Sequence, residues 1–411
     1  MAGRADIVNG LNAISKRNYN DDINYSFEWN RWLLKPIGVW PCKSDTPWPK
    51  KLVYRFLILM YSFLILLLVV CSTLYIFLDI QDIEMRLRRI GPISYCLMAL
   101  IKYWFLILHE KDIRNCMDYM EDDWKNVKCQ KDRQLMLEST LFGRRITVIS
   151  ATFTFGGVFF YQTVLSLTSS KIVVGNFTFR PLVYPVSKVI IDIRRSPANE
   201  LMILAQSVLG IVMNAVTVGS CNLAALCALH ACGQLKILMS RLNNLVDGCT
   251  NKKNTVDERL ADIVKLHVRI LSFISFTEYS LKEISLVEVL GCTMNMCMLG
   301  YYSITDWNNG QVISSITYFT LIVSFAFNIF IFCYIGEVLF EECKKVAETT
   351  YMINWYQLSG KKPLSLLLIM AISSSSIRLT AGKFVNLSIN SFGDIIKTSV
   401  AYLNVLRTIT S

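Results

Sequence analysis

The feature that most constrains this chain is the apolar run from Leu52 to Leu78, 27 residues broken by a single charge, Arg55. At about 1.5 Å of rise per residue, a helix of that length exceeds the roughly 30 Å hydrocarbon core of a bilayer. It is too long for the apolar core of a secretory signal, and residues 1–50 mix charges, Asn, Trp and Pro without a signal pattern. Helical periodicity and apolar length give seven spans in all, at 52–78, 91–108, 146–168, 198–229, 270–300, 312–336 and 384–410. The patch Leu364–Ile372 is too short to span. A chain 53% hydrophobic and only 18% charged fits this reading. The expected fold is an all-α membrane protein with seven transmembrane helices.

Lys and Arg in the loops orient the spans. One side carries 29 of them, in 1–52, 109–145, 230–269 and 337–383; the other carries 8, in 79–90, 169–197 and 301–311. The N-terminus is therefore expected in the cytoplasm and the C-terminus outside. The net charge of +11 belongs to basic cytoplasmic loops rather than to a nucleic-acid surface, for no basic-aromatic cluster accompanies it. Three scattered His residues show no zinc spacing, and no Gly-rich loop precedes a Lys-Ser or Lys-Thr pair. Neither an enzyme, nor a metal site, nor a cofactor is expected.

The inverted orientation opposes a G-protein-coupled receptor. So does the distribution of the thirteen Cys residues, none of which falls in an expected outer loop. They read as reduced, buried, small apolar groups. A transporter is disfavoured because no pair of interrupted helices recurs in two halves. Sequons occur at Asn24, Asn176 and Asn386, and only Asn176 lies in an expected outer loop, where it is the candidate glycosylation site.

The last expected span is unusually polar. On a helical wheel Asn390, Asp394, Lys397, Thr398, Ala401, Val405 and Thr408 share one face, opposite Phe392, Ile395, Ile396, Val400, Leu403 and Leu406. Counted from Lys383, Asp394 and Lys397 lie about 16 and 21 Å along the helix, near mid-membrane. Charges at such depth pair or face a water-filled cavity. Two readings stand: Asp394 and Lys397 pair in a bundle interior, or several copies of this helix line a pore. In the second, an apolar ring at Val405 closes the pore by dewetting. Arg407 lies off the stripe and snorkels to the interface. Before this span, Leu339, Cys343, Val346, Thr350, Ile353 and Gln357 recur at spacings of four and three, the pattern of a short coiled-coil seam and an expected cytoplasmic subunit contact.

The stretches "CYIGEVLFEECKKVAETTYMINWYQLS" at 333–359 and "LLLIMAISSSSIRLTAGKFVNLSINSFGDIIKTSVAYLNVLR" at 366–407 resemble the insect odorant receptors. About 75 residues carry that resemblance strongly, while the rest agrees in length, span number and topology. It implies a ligand-gated, non-selective cation channel, a heterotetramer with a shared olfactory co-receptor subunit, in the membrane of olfactory sensory neurons. It divides the chain into helices one to six with a ligand pocket (1–336), a cytoplasmic anchor platform (337–383) and a pore-lining last helix (384–411). The gate maps onto Val405, Thr408 and Ile409, with Ala401, Lys397 and Asp394 lining the vestibule below. The short loop between the fourth and fifth spans resembles a ligand-tuning subunit rather than the co-receptor. A gustatory-type channel of the same superfamily shares these features and stands as the alternative.

A volatile ligand needs an enclosed, largely apolar pocket. The expected outer halves of the helices supply Tyr95, Met98, Phe155, Phe159, Tyr161, Met202, Gln206 and Tyr318 as candidate ligand residues, with Gly156 and Gly157 removing bulk beside Phe159. Hydroxyls and Gln206 are the only polar groups in that set, so an uncharged odorant is expected. Membrane lipid and permeating cations complete the expected partners.

Overall fold

Long apolar segments satisfy their own backbone polar groups only as helices, and helices account for nearly all of the computed structural model. It describes residues 19–41, 46–127, 129–168, 172–174, 177–180, 182–186, 197–246, 255–375 and 377–410. Asn176 lies outside them. In chain order the helices are α1 (Tyr19–Leu34), α2 (Trp48–Leu78), α3 (Ile83–Leu108), α4 (Glu110–Asn126), α5 (Gln130–Thr168), α6 (Ala198–Asn243), α7 (Val256–Asn308), α8 (Val312–Met352), α9 (Lys362–Ser374) and α10 (Ile389–Thr410). A 3-10 turn, Trp355–Gln357, precedes α9. By length and composition α2, α3, α6, α7 and α8 are able to cross a membrane. The more polar α5 and α10 complete the seven.

Most of these helices extend past the apolar spans. The extra turns are amphipathic, as is α4, which no apolar run announces. Its Ile113, Cys116, Met117, Met120 and Trp124 recur at helical spacing and are buried, while Lys111, Asn115, Asp122 and Lys125 face out. Helix α7 begins with a capping box: the Thr255 hydroxyl accepts from the Glu258 N–H and the Glu258 carboxylate accepts from the Thr255 N–H.

Helix α6 forms the centre and packs on α1, α2, α3, α5, α7 and α8. Its stretch "VGSCNLAALCALHACG" is rich in small residues, which lets neighbours approach closely. Leu34 of α1 seats over Gly219, and the Gln162 side chain of α5 runs across Gly210. Ten of the eleven described Cys residues are buried and all eleven are free thiols.

Two expectations for the C-terminal third change. Of the seam residues, Leu339, Cys343, Val346, Thr350 and Ile353 are buried within the chain's own core and close this bundle, while Gln357 at its end is exposed. Exposed at that end instead are Tyr351, Met352 and Tyr356, together with Leu364, Leu367 and Leu368 on one face of α9. The last helix also starts later than expected. Residues 380–386 form a hairpin in which Thr380 pairs with Asn386 and Ala381 with Val385. Gly382 and Lys383 take left-handed backbone there, with φ of 61° and 65°. The Gly382 N–H donates to the Lys282 carbonyl at 2.8 Å, and the hairpin's exit at Leu387 rests on Gly336 of α8. With α10 starting at Ile389, Asp394 and Lys397 lie about 7 and 12 Å from its first residue, in the first half of the helix.

Candidate ligand cavity and exposed face of the last helix

Between α3, α5, α7 and α8 lies a cavity of about 510 Å³, within the range of small-molecule sites, roughly 300–1,000 Å³. Tyr95, Val158, Leu299, Leu321 and Phe325 give it an apolar body, and Tyr161, Tyr302 and Tyr318 line the rest of the bundle wall. The rings lock one another: Tyr95 meets Phe325 edge-on at 5.8 Å, and Tyr302 meets Tyr318 at 5.7 Å.

One wall comes from the segment before α6. Two side chains on one face of α6 hold it. Asn199 donates to the Arg180 carbonyl at 3.0 Å, and Gln206 both donates to the Tyr184 carbonyl at 2.6 Å and accepts from its N–H at 3.2 Å. Leu182, Val183 and Tyr184 are thereby set against the cavity. The mouth is charged. Arg88 pairs with the buried Asp306 at 2.7 Å, and Arg89 and Asp82 also line it.

On the α3 wall, Pro92 lacks the N–H that a helix interior uses. The Tyr302 hydroxyl braces the preceding step, accepting from the Gly91 N–H and donating to the Leu87 carbonyl. Below the cavity a polar chain runs inward. Tyr95 donates to Asn214 at 2.7 Å, and Ser94 donates to Asn295 at 2.9 Å. Deeper still, Lys102 and Glu288 form a fully buried ion pair. Lys102 also donates to Thr217 at 3.2 Å, while Asn328 and Cys292 donate to Glu288. The cluster ties four helices together.

Helix α10 buries Ile395 and Ser399 and half-buries Phe392, Ile396, Leu403 and Leu406. Asp394, Lys397, Thr398, Ala401, Val405 and Thr408 are exposed, Val405 at 57%. Asp394 and Lys397 pair at 3.6 Å on that exposed face. Of the expected apolar back, Val400 is itself half exposed.

The family model described as 7tm Odorant receptor matches residues 82–400. The chain belongs to the odorant receptor family. Its relatives include odorant receptor 22c of Drosophila melanogaster, 20% identical over 401 residues that cover 90% of this chain and 94% of that one. Odorant receptor 13a of the same species is 26% identical over 195 residues, but that match spans only 44% of this chain and 46% of the relative. The insect olfactory receptor OR5 of Machilis hrabei, solved in complex with eugenol, superimposes with a TM-score of 0.73 at 16% identity, covering 94% of this chain and all of that one. The helical fold is shared with it.

This family member brings together three of the eight candidate ligand residues, Tyr95, Tyr161 and Tyr318. The other five sit elsewhere. Phe159 is 69% exposed and faces out of the bundle. Met98 fills the α3–α7 contact over Gly291, and Met202 packs on Cys71, Leu182 and Val186. Phe155 packs on the core, and Gln206 serves the Tyr184 backbone. Gly157 admits Ser324 of α8, whose hydroxyl donates to the Phe153 carbonyl, rather than leaving open space. The expectation of a pocket without charges fails, because α3 and α7 extend past 91 and 300 and carry Arg88, Arg89 and Asp306 into the lining. Tyr302 and Asn295 escaped the sequence reading because they lie on α7, which supplied none of the expected ligand residues and runs past the expected end of its span at 300. Lys102 and Glu288 did carry a signal, each being a charge inside an apolar span.

Proposed function

We propose that this chain is the ligand-tuning subunit of an odorant-gated, non-selective cation channel, a heterotetramer with the shared olfactory co-receptor in the membrane of olfactory sensory neurons. Its N-terminus is cytoplasmic and its C-terminus extracellular. The odorant enters the cavity between α3, α5, α7 and α8, and α10 lines the pore, with Val405, Thr408 and Ile409 at the gate and Asp394, Lys397 and Ala401 below. Residues 337–383 serve as the cytoplasmic platform, and Asn176 is the glycosylation site.

The observation that carries this reading is the amphipathic division of α10. Its apolar face is held by its own bundle, and a file from Asp394 to Thr408 stays exposed. Lipid is a poor solvent for exposed Asp394 and Lys397, whereas a water-filled pore shared with other subunits is a suitable one. The exposed apolar side chains of α2, among them Phe56, Leu59 and Phe63, suit lipid contact. The orientation is supported by the excess of Lys and Arg on one side.

Ligand-evoked current in excised patches, without cytosolic nucleotide and with or without an insect co-receptor, tests the class. Current with the partner is the expected result. Current that disappears on excision and returns with G protein and nucleotide would overturn it.

A further inference from the structure

Helix α1 meets the centre of the bundle along a short joint with α6, where Leu34 seats over Gly219. Asn30 stands one turn before Leu34 on α1, and Asn222 stands one turn after Gly219 on α6. Both side chains are buried, Asn222 completely and Asn30 to within 3%. Among the described residues, neither polar atom of the Asn222 amide has a hydrogen-bond partner, and neither has Asn30 Oδ1. Both residues line a small cavity of about 20 Å³ between α1, α4, α5 and α6, to which Ser139 and Thr147 of α5 add hydroxyls. Buried amide atoms are nearly always paired, and leaving them unpaired is costly.

Size and charge select the occupant. A cavity of roughly 10–15 Å³ already holds one water molecule, and this one is too small for an organic ligand. A cation is disfavoured, because Arg144 lines the cavity and, among the described residues, no carboxylate does. An anion would meet the unpaired carbonyl oxygens of Asn30 and Asn222. Water supplies O–H groups for those oxygens and lone pairs for the Asn222 Nδ2. We propose that this cavity is a hydration site in which ordered water bridges Asn30 of α1 to Asn222 of α6. The contact of Leu34 with Gly219 is then the dry half of the α1 seat, and the two amides are its wet half.

X-ray radiolytic labelling of the full chain in lipid nanodiscs tests this, because hydroxyl radicals formed from bound water oxidise the nearest side chains. Met117 and Met120 supply an internal comparison: both lie on α4 and both are 1% exposed, but only Met120 lines the cavity. Met120 is expected to oxidise several-fold faster than Met117, and Asn222→Leu is expected to remove that difference. Melting curves give a second readout. In a dry cavity, Asn30→Leu or Asn222→Leu discards an unpaired amide and raises the melting temperature. With bridging water each substitution strands the other amide and lowers it, and the double variant loses less than the sum of the two. Equal oxidation of the two methionines in the wild type, labelling unchanged by Asn222→Leu, or a melting temperature raised by either single variant overturns the proposal. Should Asn222→Leu fail to fold, the wild-type comparison of Met120 with Met117 still decides.

Discussion

The Tyr302 hydroxyl is set into the backbone of α3 at Gly91, accepting from the Gly91 N–H at 3.3 Å while donating to the carbonyl one turn earlier. A Cβ on Gly91 would stand 3.0 Å from the Tyr302 ring. One phenol thus braces the helical step that precedes Pro92 and forms part of the cavity wall. Tyr302→Phe leaves the wall's shape and removes the brace. The expected loss is about 1–3 kcal/mol, together with a higher half-maximal odorant concentration. Thermal melting and dose-response curves check it, and wild-type values in both would show that the brace is idle.

Lys102 and Glu288 are fully buried and, among the described residues, are satisfied by each other and by Thr217, Asn328 and Cys292. Removing one partner strands the other charge. Lys102→Met or Glu288→Leu alone is expected to cost about 3–5 kcal/mol, and the double variant less than either single one. A double-mutant cycle on melting temperature or folded yield measures that non-additivity.

Gln206 holds Tyr184 through both polar atoms of its amide. Gln206→Ala frees a buried N–H and carbonyl at the cavity wall, with an expected loss of about 1–3 kcal/mol. Gln206→Glu keeps the acceptor and loses the donor, so an intermediate loss of ligand sensitivity is expected. Equal responses in all three proteins would contradict the strap's role.

Gly336 lets the chain at Leu387 lie directly on α8. Gly336→Ala is expected to destabilise by about 1–3 kcal/mol through overpacking, although Ala is the better helix former. A melting temperature raised by this substitution would show that the hairpin seat gives way freely.

The helices were legible because apolar length and period are properties of the sequence alone. The amphipathic split of α10 was legible for the same reason, and its exposed file is the one that the wheel shows. Its start was not, because Gly382 and Lys383 redirect the chain through left-handed backbone stabilised by contacts with α7 and α8. The cavity was half legible. Tyr95, Tyr161 and Tyr318 were found from depth and residue type, whereas Phe159, at the same depth, turns outward. Which face of a helix meets its neighbours depends on packing partners such as Gly157 with Ser324 and Gly291 with Met98. The seam from Leu339 to Thr350 shows the converse, for a correct apolar pattern does not say whether its partner belongs to the same chain.

The central claim is that α10 faces the conduction path, and the most direct measurement is ion permeability on changing Asp394 and Lys397. Reversal potentials under bi-ionic conditions would be recorded for Asp394→Asn and Lys397→Gln, each co-expressed with the co-receptor. The account predicts opposite shifts: weaker cation preference when Asp394 loses its charge, and stronger preference when Lys397 does. Reversal potentials identical to wild type in both variants, with ligand-evoked current intact, would place the pore elsewhere.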